Sequence, residues 1–252
     1  IALSMQRASS QAAVRAIQNL PVRSTDAARL KLDSGSFKVS DDTTTGGTTM
    51  TVDQYDKKVI INWDSFDLGK GYTVRFVQPT NGAALNNIWS NDPSVILGNI
   101  QANGEVILQN QNGIIFGPTA RVETGRFVAT ALSLANETFE KGIRAVTTGK
   151  AVFGSDTQGN QGFITIERGA EIKSLSGGDV IMVAPKVYNE GRIETPSGQA
   201  ILAAGQKVYL YANTSNSVQR GLMVAVDAFS DDGKPIPPGA GLRGRYGLRP
   251  RA

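Results

Sequence analysis

The sequence contains no cysteine and no histidine in 252 residues. Without cysteine there are no disulfides, no thiolate metal sites and no cysteine nucleophiles. Without histidine the Ser-His-Asp and Cys-His arrangements are excluded, as are most transition-metal sites. No catalytic residue, metal site or cofactor is therefore expected. Long apolar runs are absent too. No stretch reaches about 18 apolar residues, so no membrane helix is expected, and no charged segment followed by an apolar core opens the chain. A start at Ile1 fits a removed leader or a fragment of a longer precursor equally well. No Gly-Lys-Ser/Thr phosphate loop occurs. Aromatics are sparse, at 7%. Trp63, Trp89, Tyr209 and Tyr211 can line a sugar-binding strip, but the ordinary expectation for them is core or cap.

Acids and bases nearly balance, with a net charge of +4 that is unevenly placed. The segment from Leu242 to Arg251 holds four arginines and no acid. Such a run is ordinarily a solvated tail, and no nucleic-acid partner is expected. What the chain has in quantity is glycine, 28 residues, set between short apolar segments. That texture belongs to short strands and tight turns.

Three regions follow. Residues 1–50 form an N-terminal helix, loop and cap region. Leu3, Ala13, Val14, Ile17 and Leu20 share one helical face before Pro21, and the Thr- and Asp-rich stretch of residues 33–50 reads as a loop or irregular edge. Asp41 and Asp42 there are an acidic pair of the kind that binds a cation or, as easily, only water. Residues 51–227 form a β-helical domain, and residues 228–252 a basic Gly-, Pro- and Arg-rich tail.

Repetition carries the fold reading. Gly104-Glu105-Val106-Ile107-Leu108 recurs as Gly178-Asp179-Val180-Ile181-Met182 and, about twenty residues on, as Gly198-Gln199-Ala200-Ile201-Leu202. A second phrase appears at Ala120-Arg121-Val122-Glu123-Thr124, Ala170-Glu171-Ile172-Lys173-Ser174 and Gly191-Arg192-Ile193-Glu194-Thr195. It exposes two charged side chains around one apolar one, as a period of two requires. Short strands repeating at this interval predict a solenoid whose core is a continuous stack, with Ile107 and Ile181 in that stack. A sandwich or jelly roll suits the short strands but not the repeat. Helical solenoids are disfavoured by the frequency of Gly, Asn and Thr.

Asn110-Gln111-Asn112-Gly113-Ile114 is the most distinctive phrase. Asn-Gly accepts positive φ and turns the chain tightly. Together with Asn62-Trp63-Asp64-Ser65-Phe66-Asp67-Leu68-Gly69, Val74-Arg75-Phe76-Val77-Gln78-Pro79 and Ile96-Leu97-Gly98-Asn99-Ile100-Gln101-Ala102-Asn103-Gly104, in that order, it resembles the N-terminal secretion domain of the filamentous-haemagglutinin family, the exported partner in two-partner secretion. The family motif is Asn-Pro-Asn-Gly-Ile, and this chain has Gln111 in place of the proline. The resemblance implies a right-handed parallel β-helix with an N-terminal cap. It implies an adhesin- or haemagglutinin-like exoprotein, recognised by an outer-membrane transporter through that transporter's periplasmic recognition domains. Export then runs through the periplasm to the outer surface or the medium, with the domain nucleating β-helix folding there. It places transporter recognition on Asn110, Gln111, Asn112, Gly113 and Ile114. A host-cell, carbohydrate or neighbouring-cell surface, and self-association, are further partners it leaves open.

Two other classes compete. Parallel β-helices host polysaccharide-active enzymes, which need paired carboxylates or a cation-bound base. Glu123, Glu171, Glu194 and Asp179, with Arg121 and Arg192, are the residues such chemistry would use, although an exposed charge ladder explains them as well. A self-assembling filament, built through solenoid ends, is the other.

Overall fold

Phrases that recur once per coil fall into vertical register when the coils stack, and these do. The computed structural model describes residues 20–42, 47–144, 152–154, 161–212 and 222–227. In chain order the strands are β1 (Val22–Arg23), β2 (Phe37–Asp41), β3 (Thr49–Gln54), β4 (Lys58–Ser65), β5 (Thr73–Val77), β6 (Ala83–Ile88), β7 (Ser94–Ile96), β8 (Asn99–Ala102), β9 (Glu105–Gln109), β10 (Ile114–Phe116) and β11 (Arg121–Thr124). They continue with β12 (Arg126–Thr130), β13 (Phe153–Gly154), β14 (Phe163–Ile166), β15 (Glu171–Ser174), β16 (Val180–Ala184), β17 (Lys186–Asn189), β18 (Arg192–Glu194), β19 (Ala200–Ala204), β20 (Lys207–Ala212) and β21 (Leu222–Asp227). Two short helices, α1 (Ala27–Leu30) and α2 (Asn136–Lys141), complete the described elements.

Successive coils place one strand on each of three parallel faces, ordered β4-β6-β9-β12-β16-β19, β3-β5-β8-β11-β15-β18 and β7-β10-β14-β17. The architecture is the parallel β-helix that the repeats predict. Val106, Phe127, Val180 and Ala200 stand in one column, and Ile100, Val122, Ile172 and Ile193 in another. The interior is a single apolar stack running from Met50 and Val52 to Met182 and Ala184.

One corner is built from glycine. Gly82, Gly104, Gly125, Gly178 and Gly198 lie one above another, and a Cβ on each of the later four would collide with the carbonyl of the glycine in the coil before. This is why the first repeated phrase begins with Gly: coils cannot approach at this corner with any side chain present.

The N-terminal end is closed by antiparallel strands. β2 pairs with β3, and β1 pairs with β4. The stretch expected as a loop therefore contains a strand. Phe37 and Val39 alternate with exposed Lys38 and Ser40 and pack on the first coil's interior, a period-two pattern that the surrounding Ser, Thr and Asp obscured. The proposed helix over residues 1–20 and the basic tail lie outside the described residues, apart from Leu20.

A second apolar layer was not anticipated. Ile107 and Ile181 are not in the interior. They belong to an outward column, Ile60-Leu85-Ile107-Val128-Ile181-Ile201. That column is covered by Leu132, Leu134, Phe139 and Phe153 from the excursion after β12, and by Val208 and Leu210 of β20. β13 pairs with β20, and β20 with β21, as a small antiparallel sheet over this face. A sheet buried on both sides reads as consecutive apolar residues rather than alternation, which is what Val106-Ile107-Leu108 and Val180-Ile181-Met182-Val183 display. The interior side chains of these strands are Val106, Leu108, Val180 and Met182.

Charge fastens the excursion. Lys58 Nζ donates to the carbonyls of Phe139 (3.0 Å) and Glu140 near the end of α2, where a cation also complements the helix dipole. Arg144 spans two coils, with salt bridges of 3.0 Å to both Glu105 and Asp179.

Candidate functional site

The Asn110–Ile114 phrase forms the corner between β9 and β10. Asn110 is fully buried and its polar groups are all engaged. Its Nδ2 donates to the Asp92 carbonyl (3.1 Å) and Ser94 Oγ (3.0 Å), and its Oδ1 accepts from the Asn112 N–H (2.9 Å). Its own N–H donates to the Thr130 carbonyl and its carbonyl accepts from the Gly113 N–H, both at 3.0 Å. Gly113 has φ of 120°, and a Cβ there would lie 2.8 Å from the Phe163 carbonyl. Ile114 is an interior core residue. Asn110, Gly113 and Ile114 thus hold the corner's shape.

The remaining two residues face outward. Asn112 is exposed, with Nδ2 donating to the Ser90 carbonyl (2.8 Å), and its Oδ1 accepts no hydrogen bond within the described residues. Gln111 is exposed and neither its side chain nor its N–H hydrogen-bonds within the described residues. A proline at 111 would therefore cost the corner no backbone bond, so the replacement of the family's proline leaves the turn intact.

Beside this corner lies a cleft of about 200 Å³, lined by Asn87, Trp89, Asn91, Gln109, Gln111 and Asn112 among others. Asn62, Asn87 and Gln109 stack in register on the outer face, and Gln109 Nε2 donates to Asn87 Oδ1 (3.1 Å). Trp89 is 43% exposed. Its Nε1 donates to Asn62 Oδ1 (2.9 Å), and the Arg29 guanidinium lies 5.4 Å from its ring centroid. Sequence reading missed the Asn87–Asn91 wall, because nothing local distinguishes it from an ordinary loop.

The cap reaches the same region. Arg29 of α1 forms a 2.9 Å ion pair with Asp64. Partial burial tends to raise the Asp64 pKa, but hydrogen bonds from the Thr25 N–H, the Ser24 hydroxyl and Arg29 outweigh it and hold the carboxyl below its usual range. Asp33 Oδ1 accepts from both the N–H and Nδ2 of Asn62 at 2.9 Å, while Arg23 pairs with Asp33 at 2.6 Å.

The carboxylates weighed for catalysis fall elsewhere. Arg121, Glu171 and Arg192 are cross-strand neighbours, as are Glu123, Lys173 and Glu194. Cations and anions alternate along this exposed ladder, with Arg121–Glu171 at 3.6 Å and Arg192 paired to Glu194. Glu171 and Glu194 share the face but each sits beside a cation. Asp179 is on another corner, held by Arg144 and the Gln199 N–H. Asp42 of the acidic pair accepts the Thr49 N–H at 2.8 Å. No group of three or more acids able to hold a metal exists among the described residues. Trp63 is core, edge-on to Phe66 at 5.2 Å, and Tyr209 is buried. The side chain of Tyr211 is outside the described set.

Comparison with known proteins agrees with this geometry. The family model of the TPS secretion domain matches residues 28–240. A heme/hemopexin-binding protein of Haemophilus influenzae is 31% identical over 167 residues, which is 63% of this chain and 17% of that protein. A second Haemophilus influenzae protein of the same description is 38% identical over 86 residues, 34% of this chain and 9% of that one. The chain thus spans under a fifth of the length of these relatives. The crystal structure of the HMW1 secretion domain from Haemophilus influenzae superposes with a TM-score of 0.63 at 26% identity, covering 79% of this chain and 48% of that one. These similarities are to exoprotein secretion domains, not to enzymes. The chain belongs to the TPS secretion domain family: it is the secretion domain of an exoprotein exported by two-partner secretion, through the periplasm to the cell surface or beyond, and an outer-membrane transporter is its partner on that route.

Proposed function

We propose that the transporter reads this domain at the Asn110–Ile114 corner, through its periplasmic recognition domains, and that the domain then nucleates β-helix folding outside the cell. The single observation behind this reading is the division of labour within the motif. Asn110, Gly113 and Ile114 are consumed by the fold, whereas Gln111 and the Asn112 carboxamide are presented in a fixed shape with unmade hydrogen bonds. A rigid, prepaid conformation lowers the ordering cost of recognition. Residues 1–50 act as the cap region, 51–227 as the exported β-helix and 228–252 as a basic tail.

The mature exoprotein then acts at a surface, as an adhesin- or haemagglutinin-like protein engaging host-cell, carbohydrate or neighbouring-cell ligands. The name of the Haemophilus relatives, heme/hemopexin-binding protein, makes heme or hemopexin a further candidate ligand for the whole protein.

Secretion with and without the cognate transporter tests the recognition site. Gln111→Ala combined with Asn112→Ala should cut release by about tenfold, a loss of roughly 1.4 kcal/mol in recognition, while the purified variant keeps its Tm. Undiminished release would remove recognition from this corner. Loss of release with a lowered Tm would assign the effect to folding instead.

A further inference from the structure

The cleft beside the Asn110–Ile114 corner has a chemistry that export does not require. Among the described residues no ionisable side chain lines it. Its walls are carboxamides with unmade hydrogen bonds. Asn87 Oδ1 accepts from Gln109, but among the described residues its Nδ2 has no partner, and the same holds for the side chains of Asn91 and Gln111. The same cleft is lined by the indole of Trp89, whose position is fixed twice, by the Asn62 hydrogen bond and by the Arg29 guanidinium.

We propose that this cleft is a binding subsite for a neutral pyranose unit of a surface glycan. The inference rests on the reading of the exported protein as a surface-acting one, and it supplies the residues and the ligand class. Three features select a neutral sugar. Carboxamides donate and accept side by side, which matches ring hydroxyls that do both. The exposed indole offers a flat apolar surface to the C–H face of a pyranose, at no rotamer cost because the ring is already held. The described lining carries no ionisable side chain, and the nearby Arg29 guanidinium is already paired with Asp64; phosphates, carboxylated haem and nucleic acid would therefore give up strong solvation for little ionic compensation. Size agrees: about 200 Å³ is below the roughly 300–1,000 Å³ of pockets that enclose drug-sized ligands, so one ring fits and a macrocycle does not.

The test uses the purified, folded domain and the methyl glycosides of glucose, galactose, mannose and N-acetylglucosamine, with glucuronate and an uncharged proline-rich peptide as controls. Side-chain amide NMR shifts of Asn87, Asn91 and Gln111, together with fluorescence of Trp89 against the buried Trp63, report binding. At least one neutral glycoside should bind with a Kd on the order of millimolar and shift those three amides. Trp89→Ala should weaken it by about tenfold or more, Trp89→Phe should restore part of the affinity, and Asn91→Ala, at an exposed position, should weaken it severalfold with Tm unchanged. Export of Trp89→Ala at the normal level alongside lost sugar binding would separate this site from transporter recognition. The proposal is overturned if no neutral glycoside binds, if only glucuronate or the peptide binds, or if Trp89→Ala and Asn91→Ala both leave the affinity as it was.

Discussion

At the scale of single residues, one column of glycines governs how closely the coils stack. A Cβ on Gly125 would sit 2.7 Å from the Gly104 carbonyl and 2.8 Å from that of Asn103. Both neighbours are backbone and cannot rotate away, so Gly125→Ala must push coils apart. Such overpacking costs about 1–3 kcal/mol, and in a domain of this size each kcal/mol lowers Tm by roughly 2–4 °C. Thermal unfolding checks it, with Gly154→Ala as control because nothing lies within 4 Å of that Cβ. Equal Tm values for the two variants would show that the corner can relax. The glycine-led phrase was readable in the sequence for this reason, since the same steric demand recurs in every coil. Two of its copies, Gly82-Ala83-Ala84 and Gly125-Arg126-Phe127, escaped notice because only the glycine and not the following side chain is demanded there. The split within Asn110-Gln111-Asn112-Gly113-Ile114 was likewise hidden, because sequence does not distinguish an asparagine that faces inward from one that faces out.

At the scale of elements, the N-terminal cap shows how a short segment is kept in place without a large core of its own. α1 has no buried residue, and β1 contributes two residues to the sheet edge. Polar contacts make up the difference: Arg23 pairs with Asp33 within the cap, and Asp33 reaches Asn62 of β4, as Ser24, Thr25 and Arg29 reach Asp64. The Asp64 pKa is lowered in the folded protein from an ordinary 3.8. A depressed carboxyl pKa contributes stability that is complete above the ordinary value and is lost as pH falls through the folded one. Cap attachment should therefore be constant from neutral pH to about 5 and weaken below about 4. The Asp64 side chain is 31% exposed, so solvent screening keeps the loss small. Hydrogen exchange of residues 22–33 relative to β9 checks this. Asp64→Asn should raise cap exchange at pH 7 and flatten its acid dependence, whereas an unchanged dependence would remove Asp64 as the source of the acid response. The antiparallel strand β2 was written in the sequence as Phe37 and Val39 alone, too short a pattern to stand out from its polar surroundings.

At the scale of the whole molecule, the solenoid buries two apolar layers of different sequence range. The interior stack joins each coil to the next, so every coil added gains about 25 cal/mol per Å² of apolar surface buried as soon as it arrives. The outer layer is non-local: the column from Ile60 to Ile201 is covered by the excursion after β12 and by β20, which follows the last described coil. Repeats revealed the first layer because repetition is local and periodic. They could not reveal the second, since consecutive apolar residues in Val180-Ile181-Met182 look the same whether the outward one meets water or a covering segment. The two layers make different demands on export. A chain that gains stability coil by coil can bias its own outward movement, and only the interior stack offers that gain progressively. Met182→Asp, in the interior, and Ile181→Asp, one residue away beneath the outer layer, place the same charge in fully buried positions, and each should cost several kcal/mol. If stacking drives export, Met182→Asp should abolish transporter-dependent release. Ile181→Asp should retain a measurable fraction of it while making the excursion after β12 and the β20–β21 hairpin sensitive to limited proteolysis. Equal loss from both would mean that the outer layer must close before release, and normal release of both would remove coil stacking as the driving force.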